Sequence, residues 1–369
     1  MSHVYNRNHG SPGEMSSRLL PLLLTPQLSF VEIELTTACP CRCVTCGSNC
    51  GQPAARELNT EEFMSVISEL QALGCQQLTL LGGEPLCRPD LMPLIRHARD
   101  LRLTVEIITS GVGLEAAVAQ ELKSAGANSV TVSVDGLELS HDVQRGVQGA
   151  YRRALEAIRS LRAIRVPVGV NTQLNRRSLP DLEELADRLL EAGALGWQLQ
   201  ITLPIGRAAE SPLILQRADM SEVLNLLRRL SRRPRLAPQL ADNIGWWTSD
   251  DTRLRSVPGA SARCWLGCTA GLRHLGITSQ GNVKGCLVLP DEFTEGNVRN
   301  ETLGDIWADP NRFAYNRAYC PESLSGSCAT CSQSTLCRGG CTASAVSYHG
   351  QPGRNDNCLR LVEQNQTMR

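Results

Sequence analysis

The cysteines constrain the structure of this chain more than any other feature. There are 16 of them, and 14 fall into two groups, five between residues 39 and 50 and nine from residue 264 onward. Disulfide-rich secreted proteins are usually much shorter and begin with a signal peptide. The apolar run at residues 19–24 is short and is followed by no cleavage site. We therefore expect a cytoplasmic metal protein that has no membrane-spanning segment.

Charge and aromatic content argue against two classes of partner. Lysine plus arginine and aspartate plus glutamate number 37 each, and only 4% of the residues are aromatic. A balanced charge offers no field for nucleic acid or an anionic membrane, and few rings are available to stack on bases. We expect neither partner.

Short β-branched or leucine-rich runs alternate with segments of helical spacing from residue 29 to residue 210. The predicted strands are 31–35, 77–81, 103–108, 129–134, 166–171 and 197–201. The predicted helices are 60–73, 90–101, 114–125, 150–163 and 179–192. Asn59 and Gly74 are start and stop signals for the first helix. Six alternating units predict an α/β fold, a partial (β/α)6 TIM-like barrel whose active site lies at the carboxyl ends of the strands.

Four domains are predicted along the chain. Residues 1–28 form an N-terminal arm with little structure, residues 29–210 the barrel, and residues 211–260 a helical connector. Residues 261–369 form a separate cysteine-rich region with many glycines and little helical periodicity. We expect cross-links or metals to give this last region its order.

The first cysteine group follows the first predicted strand as a C-x3-C-x2-C triplet, Cys39, Cys43 and Cys46. Three thiolates can hold three irons of a [4Fe–4S] cluster and leave the fourth iron open. A structural zinc site is the alternative, because Cys41 or Cys50 can supply the fourth ligand that zinc requires.

The second predicted strand ends in Gly82, Gly83, Glu84 and Pro85. Adjacent glycines allow a ligand close to the backbone, and Glu84 offers an anion. Such a turn can hold the amino and carboxylate groups of an amino-acid-like cofactor.

Together, the triplet and the G-G-E-P turn one β/α unit later resemble the radical S-adenosylmethionine (SAM) superfamily. The resemblance implies a cluster-bound SAM that yields a 5′-deoxyadenosyl radical, with Gly82–Pro85 holding the cofactor. Thr45 departs from the superfamily, where an aromatic residue usually precedes the last cysteine, so adenine packing is expected to differ. For Arg145 a surface salt bridge is the alternative. Further cofactor contacts are expected at the strand ends, from Ser110, Ser133, Asp135, Arg145 and Asn171.

The second cysteine group resembles the SPASM extension of such enzymes, in the spacing from Cys268 through Gly281 and Cys286 to Cys358. The resemblance implies two auxiliary [4Fe–4S] clusters, hence three in all. The inner set is Cys264, Cys268, Cys286 and Cys341, and the outer set is Cys328, Cys331, Cys337 and Cys358. Two zinc sites are the alternative, and Cys320 can replace Cys264. Gly281 is expected to permit a hairpin, and Cys75 and Cys87 to be buried as small apolar residues.

The resemblance implies an oxidoreductase, and the leading prediction is a maturase that cross-links or otherwise modifies a ribosomal peptide. A separate leader-recognition protein and an external electron donor are the implied partners. Leu287 follows Cys286 where sulfatase-maturing relatives have aspartate, which counts against that activity. The alternatives are a radical dehydrogenase or tetrapyrrole enzyme, and a non-catalytic iron–sulfur or zinc scaffold.

Overall fold

The structure is a computed structural model that describes residues 20–233, 235–245, 248–255 and 265–367. Cys264 and residues 1–19 of the predicted arm lie outside the described residues. Within those ranges, no helix is both long enough and apolar enough to cross a membrane.

One ten-stranded sheet runs through the described part of the molecule. Its strands are β1 (Phe30–Glu34), β2 (Gln77–Leu81), β3 (Thr104–Thr109), β4 (Ser129–Ser133), β5 (Val168–Leu174), β6 (Gly196–Ile201), β7 (Gln239–Leu240), β8 (His274–Ile277), β9 (Asn282–Lys284) and β10 (Gly296–Asn297). They lie in the order β10-β9-β8-β1-β2-β3-β4-β5-β6-β7. The run from β8 through β1 to β7 is parallel, and the pairs β8–β9 and β9–β10 are antiparallel. The six predicted strands are confirmed as β1 to β6.

The helices alternate with the strands as the sequence predicts. The barrel helices are α1 (Thr60–Ala72), α2 (Leu91–Asp100), α3 (Ala116–Ala125), α4 (Glu138–Arg145), α5 (Ala150–Ala163) and α6 (Leu182–Ala192). Later helices are α7 (Met220–Leu230), α8 (Asp251–Arg255), α9 (Leu303–Ala308), α10 (Ala314–Arg317), α11 (Ser334–Cys337), α12 (Thr342–His349) and α13 (Leu359–Thr367). Asn59 caps α1 through a reciprocal pair of hydrogen bonds with Glu62, which confirms the predicted start signal.

Two elements of the barrel differ from the predictions. Helix α4 was not expected, because the residues buried along it, His141 and Gln144, are polar and its apolar residues, Leu139 and Val143, are exposed. Strand β5 runs three residues beyond its predicted end at Asn171, because it pairs with β6 as far as Leu174 and Ile201.

The C-terminal region is joined to the barrel through the sheet and the hydrophobic core. Strand β8 pairs with β1, and Leu275, Ile277 and Val283 belong to the same hydrophobic core as the barrel strands. The predicted dependence on cross-links or metals alone is therefore wrong, because sheet pairing and apolar burial also order this region. The expected hairpin is confirmed, since Gly281 (φ +86°) lies in the turn between β8 and β9. The predicted domain boundaries stay predictions.

The sheet has two unlike faces, because successive side chains of a strand point to opposite sides. Val31 and Ile33 are fully buried in the core that includes Phe63 and Ile67 of α1. The opposite face, here called the inner face, is mostly polar. Its polar members on β1–β6 and β8 are Glu32, Glu34, Gln77, Thr79, Thr104, Glu106, Ser129, Thr131, Ser133, Asn171, Gln173, Gln198, Gln200 and His274.

Candidate active site

The loop of residues 36–51, here called the cysteine loop, leaves the carboxyl end of β1 and carries the predicted triplet. Cys39, Cys43 and Cys46 are partly exposed, whereas Cys41 and Cys50 are buried. The Cys39 Sγ accepts a hydrogen bond from the Cys41 backbone N–H at 3.4 Å, and the Cys46 Sγ accepts one from the Cys50 N–H at 3.4 Å. The two extra cysteines therefore position the outer members of the triplet.

Two thiols of the loop are predisposed to ionise. A hydrogen bond from the Cys50 thiol lowers the pKa of Cys46 to about 5. A hydrogen bond from the Cys41 thiol likewise lowers the pKa of Cys39, while Cys41 itself has its pKa raised to about 11. Because the thiolate is the form that binds metal, Cys41 favours the ligand state of Cys39 and Cys50 that of Cys46. The hydrogen bond with Cys41 has the opposite effect on Cys43 and raises its pKa.

The G-G-E-P turn joins the start of the cysteine loop through its backbone. The Gly83 N–H donates to the Thr36 carbonyl at 2.6 Å, and the Glu84 N–H donates to the Ala38 carbonyl at 2.8 Å. A Cβ atom at Gly83 would lie 2.3 Å from the Ala38 carbonyl oxygen, and one at Gly82 would lie 2.5 Å from that of Thr36. The adjacent glycines are therefore required by close backbone approach between strand ends.

The Glu84 carboxylate lies between the ends of β2 and β3 and is only 1% exposed. Oε1 accepts from the Thr109 hydroxyl at 2.7 Å, and Oε2 accepts from the Ser110 N–H at 2.8 Å and its hydroxyl at 2.5 Å. Burial raises the pKa of Glu84, and these hydrogen bonds oppose the shift. Ser110 thus takes part in the site by hydrogen-bonding to Glu84. Thr109 does the same and was not predicted from the sequence.

Arg145 connects α4 to the middle of the triplet. Its guanidinium pairs with Asp135 at 2.7 Å and donates from Nη1 to the Cys43 Sγ at 3.8 Å. The side chain of Arg145 is 12% exposed and that of Asp135 is 2% exposed, so the pair is not the surface salt bridge of the alternative hypothesis. Asp135 raises the pKa of Arg145 against the opposing effect of burial. The guanidinium beside Cys43 therefore stays protonated and positively charged.

Further contacts from α4 and from the segment after β6 hold the cysteine loop. The Arg42 N–H donates to the Arg145 carbonyl at 2.9 Å, so the helix end meets the loop backbone. Arg207 donates from Nε to the Cys43 carbonyl at 2.7 Å and from Nη1 to the Cys50 carbonyl at 3.0 Å. The backbone of Gly206 lies against that of Gly47 in the cysteine loop, so a Cβ at Gly206 would lie 2.3 Å from the Gly47 carbonyl oxygen. Arg207 was not predicted, because it lies more than 150 residues from the cysteine loop in the sequence.

The two remaining cofactor candidates lie side by side on the inner face. Ser133 ends β4 and pairs in register with Asn171 on β5. Both side chains are partly exposed.

The outer C-terminal set converges on one cavity. Its volume is about 30 Å³, and Cys328, Cys331, Cys337 and Cys358 all line it. Burial raises the pKa of each of Cys328, Cys337 and Cys358, the last to about 12. Buried thiols of this kind release a proton when they bind metal, and the cavity suits a group held by all four.

The inner set comes together against the sheet. Cys268 and Cys341 both act electrostatically on Cys286, so the three thiols are neighbours. Glu32, His274 and Cys286 each place one ligand atom within 4.8 Å of the others, the only such group of three in the described ranges. Glu32 and His274 were not predicted, because β1 and β8 lie far apart in sequence.

The predictions for the other cysteines have mixed outcomes. Cys75 is buried at 5% exposure, which confirms its assignment to the core. Cys87 is exposed, so its assignment to the core is wrong. It belongs to the short turn Pro85–Cys87, which lies at the surface beside Glu84. Cys320 is exposed as well.

The residues present fit the groups that the motifs imply. Partly exposed thiols on a rigid loop suit an iron–sulfur cluster with one open iron, and the glycine turn beside them leaves backbone within reach of a bound cofactor. The Arg145 side chain, which contacts the Cys43 Sγ, also has a buried Nε atom with no hydrogen-bond partner among the described residues.

Two family models match the chain in the expected regions. Residues 33–189 match the Radical SAM superfamily, and residues 268–332 match SPASM, an iron–sulfur cluster-binding domain.

Proteins with two different named activities are similar to this chain over most of its length. The AdoMet-dependent heme synthase of Methanosarcina barkeri is 31% identical over 338 residues, 89% of this chain and 95% of the relative. The PqqA peptide cyclase of Rhodopseudomonas palustris is 31% identical over 348 residues, 90% of this chain and 86% of the relative. The structure of Streptococcus suis SuiB bound to the precursor peptide SuiA has a TM-score of 0.71 at 16% identity, covering 97% of this chain and 83% of that one. This last similarity establishes the fold.

Proposed function

The chain belongs to the radical SAM superfamily and carries its SPASM cluster-binding extension, and from this premise we propose that it modifies a peptide. Enzymes of this superfamily bind SAM and an iron–sulfur cluster. The finer assignments, which are the peptide, the number of clusters and the partners, are proposals.

The residues that would hold each group follow from the site. Cys39, Cys43 and Cys46 would hold the SAM-binding cluster, and the turn Gly82–Pro85 would hold the amino-acid end of SAM. The inner and outer C-terminal sets would hold two auxiliary clusters, which makes three in total. When bound, the cluster and SAM supply a 5′-deoxyadenosyl radical that removes a hydrogen atom from carbon. The polypeptide binds the substrate, excludes water and directs one C–H bond toward the cysteine loop.

The inner face is the observation that favours a peptide. On β5 and β6 it presents the amide side chains of Asn171, Gln198 and Gln200, of which Gln198 is exposed. A peptide carries donors and acceptors along its whole backbone, and side-chain amides satisfy both kinds. A haem precursor is instead a flat apolar ring with carboxylate substituents, which is best held by apolar walls and cations.

A tetrapyrrole remains the second candidate, because heme synthases are among the similar proteins at 31% identity. The deciding experiment offers the reconstituted enzyme SAM and dithionite together with one of two substrates. These are the peptide encoded by a short reading frame beside its gene, and an iron coproporphyrin. We expect 5′-deoxyadenosine and a peptide that has lost hydrogen, measured by mass spectrometry. Conversion of the tetrapyrrole with an unchanged peptide would refute the proposal.

Two partners complete the proposed reaction. A small reduced electron carrier would supply the electron that SAM cleavage requires, and a separate protein would present the leader of the precursor peptide.

We also propose that the enzyme is an oxidoreductase and that it acts in the cytoplasm. No disulfide joins two of the described cysteines, which suits a reducing compartment.

A further inference from the structure

The inner set of cysteines has an unpaired hydroxyl group beside it, that of Tyr315 on α10. The Tyr315 Oη atom is buried and makes no hydrogen bond of normal geometry to any described residue. Buried hydroxyls are almost always hydrogen-bonded, and this one has both a proton to donate and an oxygen that accepts. Its surroundings show which of the two lacks a partner.

Two contacts fix the tyrosine side chain in place. The ring of Tyr315 packs edge to face against Phe293, with the ring centroids 5.3 Å apart. Its hydroxyl lies against Gly285, the residue before Cys286, so closely that a Cβ at Gly285 would overlap the Oη atom. The hydroxyl is therefore next to the chain segment that carries one cysteine of the inner set.

The short helix α10 anchors Tyr315 to the segment that follows Cys268. The Asn316 side chain donates to the Ala270 carbonyl at 2.9 Å, and the Arg317 Nε atom donates to the next carbonyl along the chain at 2.8 Å. The position of the hydroxyl is thus fixed by two segments that each carry a cysteine of the inner set.

The charges around Tyr315 make its hydroxyl a donor. Burial raises the pKa of Tyr315, and the nearby Glu295 raises it further. The thiols of Cys268 and Cys286 act in the same direction, so both lie beside the hydroxyl. The Gly285 N–H approaches the same oxygen and, as a donor itself, cannot accept the hydroxyl proton. The partner that is missing is an acceptor.

His274 is a second buried side chain near Cys286 that makes no hydrogen bond through Nε2, but its surroundings differ. The His274 Nε2 atom lies 3.2 Å from a Glu32 carboxylate oxygen, so an acceptor of its own is at hand. Tyr315 is therefore the donor that is left for a bound group.

We propose that Tyr315 is a positioning residue of the inner cluster, whose hydroxyl donates to a cluster sulfur and raises the reduction potential of that cluster. This inference rests on the proposed function, which places a [4Fe–4S] cluster at the inner set. Reduction adds one electron and one negative charge to the cluster, and the hydroxyl keeps its proton. A hydrogen bond to sulfur stabilises the added charge and so favours the reduced form.

A redox titration tests this inference without any substrate. The reconstituted enzyme is titrated with dithionite and its reduced clusters are followed by EPR. Tyr315→Phe keeps the ring and loses only the hydroxyl. We expect one reduction equilibrium to shift about tenfold toward the oxidised form, which lowers that midpoint potential by about 59 mV for one electron. The other midpoints should not move.

A double variant assigns the midpoint that moves. Cys43→Ala with Cys328→Ala removes one ligand from the SAM-binding cluster and one from the outer cluster, so about four irons per chain should remain at the inner set. Adding Tyr315→Phe to this double variant should reproduce the shift.

Pulsed EPR supplies a readout that a merely structural role would not change. The reduced inner cluster should couple to a proton that exchanges in D2O and is absent from Tyr315→Phe. Tyr348→Phe is the matched control, because the Tyr348 hydroxyl already donates to the Leu215 carbonyl at 3.0 Å. It should leave every midpoint and the coupled proton unchanged.

The outcomes separate this inference from the function on which it rests. Unchanged midpoints in Tyr315→Phe, an equal shift in Tyr348→Phe, or loss of the inner cluster from Tyr315→Phe would overturn the inference and leave the clusters in place as proposed. Cys286→Ala with undiminished iron would overturn the inner cluster and the inference together. Conversion of the iron coproporphyrin in place of the peptide would overturn the proposed substrate alone.

Discussion

The cysteine loop and the outer C-terminal set are proposed to bind the same kind of group but are held in different ways. Three distant segments hydrogen-bond to the cysteine loop, the turn at Gly83, the end of α4 and Arg207. The residues that line the outer cavity all lie between 327 and 361, and segments around them hydrogen-bond to one another, as where the Ser325 N–H donates to the Gly353 carbonyl. The geometry of the triplet therefore comes from the barrel, whereas we expect the outer cysteines to depend more on the group they would bind.

Removing one member of the triplet should have the largest effect. Cys43→Ala deletes the thiol beside Arg145 and leaves too few ligands for a stable cluster. We expect no measurable 5′-deoxyadenosine from SAM and dithionite, together with the loss of about four irons per chain. Cys75→Ala, at a buried cysteine of the core, is the control and should retain activity. Persistent cleavage in Cys43→Ala would contradict the assignment of the catalytic cluster.

A methyl group at the glycine turn should break the contact between the barrel and the loop. In Gly83→Ala the added Cβ would lie 2.3 Å from the Ala38 carbonyl oxygen, so the backbone on one side must move. A displacement of about 1 Å in an active site reduces rate by roughly 100-fold, which is our expectation for 5′-deoxyadenosine formation.

The matched control for that variant is Gly113→Ala. Unlike Gly83, Gly113 has a positive φ, +86°, and nothing lies within 4 Å of the position its Cβ would take. Gly113→Ala should lose about 1 kcal/mol of stability and little activity. Equal losses of activity in the two alanine variants would show that a general loss of stability, not the loop contact, is responsible.

Arg207 tests the contribution of the barrel to the lifetime of the cluster. Arg207→Lys cannot donate to the Cys43 and Cys50 carbonyls at once, because lysine lacks the planar fork of arginine. Loss of charged hydrogen bonds should accelerate cluster loss to a chelator by roughly tenfold, followed by visible absorbance. The control is Arg188→Lys, on the exposed face of α6. An unchanged rate in Arg207→Lys would mean that Gly83 and α4 are sufficient to hold the loop.

Sequence reasoning found the parts of the site that local spacing encodes. Three features each lie within a short stretch of the chain: the triplet, the G-G-E-P turn and the hairpin at Gly281. Their geometry therefore follows from the local sequence. Thr109 and Arg207 were not predicted, since their partners, Glu84 and the cysteine loop, lie far from them in the sequence. Glu32 and His274 meet only because β8 joins β1, a pairing between segments more than 240 residues apart that no local pattern reveals. Cys87 was misassigned because the type of a residue does not report its exposure.

The smallest effect on SAM cleavage should follow a change in the outer set. Cys328→Ala removes one thiol from the cavity shared with Cys331, Cys337 and Cys358, which none of the segments holding the cysteine loop lines. We expect the iron content to fall by about four per chain while most of the SAM cleavage remains. Modification of the peptide should suffer more than cleavage, because an auxiliary cluster would act on the substrate and not on SAM. If Cys328→Ala instead abolished cleavage as Cys43→Ala does, the two sets would be coupled through the sheet at β1 and β8, and the contrast between them would fail.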